Sequence, residues 1–298
     1  MKYRIRHITS YDYSEPASTS HNLLHVTPRD LPDQHCLHST LTIEPAPVTT
    51  STFTDTFGNS VTSFDLHKPH TRLSVTVNSI VTITPPPPDR ALPVAPGWEQ
   101  ARDAARTDRS PEGLEAYAMT YPSRHIRVAN AFGDYARLSF TPGRSLLEAA
   151  MDLTGRIFHD FRFDPLATTL STPIEQVMEQ RHGVCQDFAH VMLACLRSLR
   201  LPARYVSGYL RTDPPPGQPR MIGADASHAW VSVWCPGVGW FDFDPTNNCT
   251  RNDRHIILRW GRDYAGVSPV KGVVLGGGTH TLNVSVDAAS MPETSSSS

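Results

Sequence analysis

A thiol, an imidazole and a carboxylate occur in that order along this chain, each at the edge of a regular element. They are Cys185 in GVCQDFAH, His228 in SHAWVSVW and Asp244 in WFDFDPTNN. These residue types are the parts of a sulfur nucleophile, the base that takes its proton and the acid that orients that base. A cysteine that opens a helix feels the partial positive charge of unpaired amides, which favours thiolate over thiol. A nearby imidazole can take the thiol proton and later return it to a leaving group. The backbone amide of Cys185, also at the helix start, is a candidate donor to an oxyanion.

The elements around these residues must bring them together. From Cys185, the positions Phe188, Val191, Met192, Cys195, Leu196 and Leu199 follow an i, i+3, i+4 stripe, which predicts a helix ended by Leu201-Pro202. Strands are expected at 203–210, 229–235 and 240–244, with a loop at 213–219 and a Pro-Gly-Val-Gly hairpin turn at 236–239. His228 and Asp244 are 244 − 228 = 16 residues apart, with their midpoint at 236 in that turn, so they are expected to be near cross-strand neighbours. Upstream, a helix is expected over 145–160. A second is expected from a Thr172 cap with Pro173 at its first position, ending near Arg181.

Residues 1–84 read as β, with period-two alternation in TLTIEP, FTDTF, SVTSFDL and RLSVTVNSIVTI and a turn at Phe57-Gly58-Asn59. Pro85–Pro88 should end this region as a stiff spacer. Residues 85–143 read as a Pro-rich linker and irregular connection, with one short helix around Glu112–Met119. Residues 144–288 read as the core with β patterning at its end, and 289–298 as a disordered tail. The fold class is therefore α+β: a small all-β domain, then helices packed on an antiparallel sheet.

Composition narrows the function. Twenty-seven basic and 29 acidic residues give a net charge of −2, which offers no basic patch for nucleic acid. No apolar run approaches 18 residues and the N-terminus lacks a secretory plan, so a membrane role is not expected. Five cysteines without a CxxC pair suit neither a disulfide framework nor zinc, and predict a cytoplasmic, thiol-reducing setting. No cofactor or metal is assigned, and the oligomeric state is left open.

Plainer readings exist for each residue. Cys195 on its apolar stripe is core packing, Asp244 before Pro245 suits a turn, and His228 alone suits a satisfied strand histidine. Asp187 and His190 fall on another helical face from Cys185 and read as surface or supporting groups. His182 and His190 match no zinc spacing. The Gly276–Gly278 run reads as a turn.

The motifs GVCQDFAHVMLACLRSLRLPARYVSGYL and GADASHAWVSVWCPGVGWFDFDPTNN resemble the core of the transglutaminase-like superfamily, a papain-like cysteine-enzyme fold. The segments Tyr3–Ile83 and GRDYAGVSPVKGVVLGGGTHTLNVSV resemble a bacterial subgroup with an N-terminal β domain. The resemblance implies Cys185 as nucleophile, His228 as base and Asp244 as orienting acid, acting on a peptide or protein substrate through a thioester acyl-enzyme. Hydrolysis is favoured over amine transfer, and a non-catalytic binding module on the same fold is the rival of another class. Phe161 and Phe163 cannot replace the family's aromatic oxyanion donor, because neither carries a side-chain donor. Calcium dependence is not carried over.

Overall fold

The computed structural model describes residues 1–85, 91–212 and 226–291. The expected loop at 213–219, Pro86–Pro88 and the final residues 292–298 lie outside the described residues. Five strands come first: β1 (Lys2–Leu24), β2 (Gln34–Glu44), β3 (Thr49–Thr54), β4 (Ser60–Leu66) and β5 (His70–Ile83). Alternation drives them. In β1, Tyr3, Ile5 and His7 point inward while Arg4 and Arg6 face solvent. Gly58 takes φ 74 in the turn between β3 and β4, a left-handed conformation that glycine adopts without a Cβ clash.

Three helices follow where one was expected: α1 (Trp98–Thr107), α2 (Pro111–Ala118) and α3 (Asn130–Arg137). Only α2 carries a clear start signal, Ser110 accepting from the Gly113 N–H at 3.0 Å ahead of Pro111. Residues 91–143 therefore carry three helices rather than one short helix in an irregular connection. Then come α4 (Leu146–Asp160), β6 (Arg162–Phe163), α5 (Ile174–Gln180), β7 (His182–Gly183) and α6 (Cys185–Ser198). The cap of α5 is Pro173 rather than Thr172, and Arg181 ends it with φ 58.

The second half of the core is β8 (Ala203–Leu210), β9 (Ala226–Cys235), β10 (Gly239–Asp244), β11 (Cys249–Thr250), β12 (His255–Gly261) and α7 (Tyr264–Val267), followed by β13 (Val270–Gly276) and β14 (His280–Met291). A five-stranded antiparallel sheet runs β11-β10-β9-β8-β12. Helix α6 lies against it, and the buried side chains of α3, α4 and α5 fill the same core.

The chain's end departs from expectation. β13 and β14 both pair with β1, so they complete the first sheet and not the core's sheet. β14 runs to Met291 opposite Lys2, which places residues 289–291, expected in a disordered tail, in a strand. The Gly276–Gly278 run, expected as a turn, instead carries β13 on into β14 along β1 without reversing the chain, since Ala17 pairs with Gly276 and Tyr13 with His280; three positive φ angles mark the irregularity. The two sheets meet through Tyr3, Ile5 and Val286 on one side and Tyr209, Ile256 and Leu258 on the other.

Candidate active site

Helix α6 begins at Cys185, and its first intrahelical bond runs from the Phe188 N–H to the Val184 carbonyl at 3.1 Å. The amides of Cys185, Gln186 and Asp187 therefore precede the helical ladder and carry its positive end. Asp187 stabilises this end: its Oδ2 accepts from the Val184 N–H at 2.9 Å and the Thr168 hydroxyl at 2.6 Å. Gly183 leaves room for that carboxylate, since a Cβ there would stand 2.6 Å from Asp187 Oδ2. Asp187 and His190 are both buried, so of the two expected readings, surface or supporting, the surface one does not hold. His190 stacks on His125 with ring centroids 5.4 Å apart, and burial, then the His125 charge, lower its pKa to about 3.

Across the core, β9 presents His228 and β10 presents Asp244. The hairpin pairs Gly239 with Cys235 and Phe243 with Val231, so paired residues sum to 474. His228 and Asp244 sum to 472, which makes them diagonal rather than direct neighbours, still on one face because the offset is even. The side chains close the gap: His228 Nε2 lies 2.7 Å from Asp244 Oδ2. The imidazole also interacts with the Cys185 side chain. With Nε2 committed to Asp244, Nδ1 is the ring nitrogen free to serve the sulfur. Cys185 is half-buried, whereas His228 and Asp244 are buried.

Electrostatics follow from these contacts. Burial alone would lower the His228 pKa. The Asp244 hydrogen bond, the bond to Cys185 and both partners' charges outweigh it and hold the imidazole above its ordinary value. Burial alone would raise Asp244, yet hydrogen bonds from His228 and His255 hold its carboxyl well below the usual range. Asp244 is thus kept as a carboxylate in a place closed to water.

Three supporting residues were missed in the sequence. His255, at the start of β12, places Nε2 3.1 Å from Asp244 Oδ2, and its Nδ1 lies 3.0 Å from Asn252 Oδ1. Asn247 donates from Nδ2 to the same carboxylate oxygen at 2.7 Å, while the amides of Thr246 and Asn247 serve Oδ1 at 2.9 and 3.3 Å. Asp244 therefore accepts five hydrogen bonds. Trp230 covers the pair, its ring 5.9 Å from His228 and 5.2 Å from His255. Gly208 makes room for that indole, because a Cβ there would stand 2.5 Å from it. The DPTNN turn could have flagged Asn247. Nothing local flags His255, because β12 pairs with β8 and not with β10.

His228, Asp244 and His255 also form a cluster whose donor atoms lie within 4.8 Å of one another, tight enough for a metal ion. Their mutual hydrogen bonds already satisfy it, and Asp244 is coordinated like an orienting acid. Phe161 and Phe163 lie with their rings 5.7 and 6.4 Å from Phe188 and offer no donor. His182 contacts Gln180 at 3.1 Å and joins no such cluster among the described residues.

A cysteine at a helix start, facing an imidazole held by a buried carboxylate at an antiparallel sheet, behind an N-terminal β region, defines a class. Residues 3–82 match the bacterial transglutaminase-like N-terminal region, and 135–245 match the transglutaminase-like superfamily. The chain belongs to that superfamily. It is 42% identical over 293 residues to an uncharacterized protein of Mycobacterium tuberculosis, covering 96% of this chain and 92% of the relative. An uncharacterized protein of Mycobacterium leprae is 34% identical over 290 residues, covering 96% and 98%. A solved structure from Cytophaga hutchinsonii, named there a "Putative Cysteine Protease", has the same fold with a TM-score of 0.76 at 20% identity, covering 98% of this chain and 91% of that one. Among the described residues, no helix is long and apolar enough to cross a membrane.

Proposed function

We propose that this protein is a cysteine-dependent enzyme that attacks peptide or amide carbonyls, with Cys185 as nucleophile, His228 as base and acid, and Asp244 as orienting carboxylate. The observation that carries this reading is a buried imidazole held by Asp244 at 2.7 Å and near enough to Cys185 for that side chain to help raise its pKa. In the proposed sequence, His228 accepts the thiol proton and the sulfur attacks the carbonyl carbon. The developing oxyanion meets the Cys185 amide at the start of α6. The imidazolium then gives its proton to the departing amine, leaving a thioester on Cys185. Asp244 stabilises the imidazolium and fixes the ring without taking the proton itself. His255 and Asn247 act through Asp244 as positioning residues.

Water is the proposed acceptor of the acyl group, which makes the reaction a hydrolysis in a thiol-reducing, cytoplasmic setting. The protease name carried by the Cytophaga hutchinsonii neighbour agrees with it. Superfamily membership supports an amine acceptor as the second reading. Incubation with a glutamine-containing peptide and a labelled primary amine separates the two. Acid product without label supports hydrolysis, and incorporated label supports transfer. If wild type and Cys185→Ala give the same products at the same rate over a broad peptide panel, the protein is a binding module instead.

A further inference from the structure

Three arginines are buried among the described residues, and only two of them are compensated. Arg197 donates to the Ser123 hydroxyl at 3.1 Å and to the carbonyls of Ala203 and Arg262 at 2.9 and 2.6 Å, with Asp263 nearby. Arg204 reaches Glu115 at 3.3 Å and lies between the Trp240 and Trp260 rings, 4.1 and 3.7 Å from their centroids. In both, Nε alone lacks a partner.

Arg259 is different. It is 1% exposed, its Nε donates to the Val267 carbonyl, and both Nη1 and Nη2 are buried with no partner. A bulge places it. Ile257 pairs with Gly208 but Arg259 pairs with Ser207, so the bulge turns Arg259 onto the opposite face from Ile257. Tyr205 and Tyr209 flank Ser207 on that same face. Tyr209 bonds His7 of β1 at 2.7 Å, so the guanidinium sits where the two sheets meet.

The charge balance there is unmet. The ionisable groups acting on Arg259 are the phenols of Tyr209, Tyr264 and Tyr205, and no carboxylate acts on it among the described residues. Burial, then the Arg259 charge, lowers the pKa of both His7 and His25, so these imidazoles are neutral and supply no anion either. An isolated buried cation costs several kcal/mol unless a counter-charge meets it, and a buried polar group without a partner signals an ion or a water at the position. A neutral water would leave the charge uncompensated.

We propose that Arg259 holds a small inorganic anion of the halide class, enclosed with the tyrosine hydroxyls at the junction of the two sheets. Enclosure argues against a substrate carboxylate, since both Nη atoms are closed to solvent. The anion would fasten β12 to the β1 side of the junction.

The test uses bromide on the whole protein, and neither readout depends on turnover. Thermal unfolding is followed in sodium bromide against sodium gluconate at constant ionic strength. Wild type should gain about 5 °C over a hundredfold range above its dissociation constant, and Arg259→Met should show no bromide dependence. In crystals grown with bromide, an anomalous peak should lie beside Nη1 and Nη2. A peak there supports the proposal even if Arg259→Met fails to fold. Water or nothing beside the guanidinium at high bromide overturns it, as does an equal bromide response in Arg259→Met.

Discussion

Cys185 and Cys195 sit ten residues apart on one stripe of one helix, and their surroundings differ in every respect that governs sulfur chemistry. Cys185 stands half-buried at the start of α6, ahead of the backbone ladder and beside His228. Cys195 is fully enclosed in the helix-sheet core, and burial pushes its thiol up to about 12. At pH 7 such a thiol is ionised in about one molecule in 10⁵. Burial also raises Cys36, Cys235 and Cys249. The lesson is that helical phase gives a cysteine its direction, whereas the element boundary and the facing strand give it reactivity.

The sharpest way to break this comparison is substitution of each thiol. Cys185→Ala should lower turnover by about 10⁴-fold or more, while Cys195→Ala should leave kcat within twofold. Comparable losses in both would remove the distinction. Asp244→Asn comes next, with a fall of about 10²- to 10⁴-fold expected in kcat and little change in KM.

His255→Ala should cost roughly tenfold to a hundredfold in kcat by loosening Asp244. A purely structural role would leave the His228 titration, followed by NMR, where it was. A positioning role requires that it move down.

A pH series probes the same pair through stability. The imidazole of His228 is held at about 10, so its contribution is complete below about pH 6.5 and is lost as pH rises through 10. Asp244 has the opposite sign: its contribution is present above about pH 4 and is lost as pH falls below it. Urea midpoints of wild type should therefore decline from pH 6.5 to 10 relative to His228→Gln, and superimposed curves would show that the imidazole is not raised. The smallest effect is expected for Cys195→Ser, about 1–3 kcal/mol of destabilisation from a hydroxyl placed in the apolar core. Its activity should be unchanged at temperatures where it stays folded.

Local patterns revealed α6, β8 and the β9–β10 hairpin, because a 3.6-residue stripe and a Pro-Gly turn are written in consecutive residues. The order and approximate placement of Cys185, His228 and Asp244 followed from those elements. The two-residue offset in the hairpin did not, since a turn sequence does not fix register. Helix α1 was hidden because its buried side is Ala101 and Ala105, which give little apolar contrast. His255 escaped for another reason: it reaches Asp244 from across a sheet whose strand order β10-β9-β8-β12 cannot be read from one chain. The seating of β13 and β14 on β1 was illegible in the same way.

That last pairing has a consequence for how the molecule is made. β1 is synthesised well before β13 and β14, which complete one of its flanks, with Lys2 opposite Met291. Such distant contacts close late. The stretch bearing the cysteine is thus inserted within a sheet whose two parts bracket it, and the chain as far as Met291 must leave the ribosome before its outer clasp can shut. Dissection between Ile83 and Trp98 would leave the core's five-stranded sheet whole but part β13 and β14 from β1, so the first sheet would be finished in neither half.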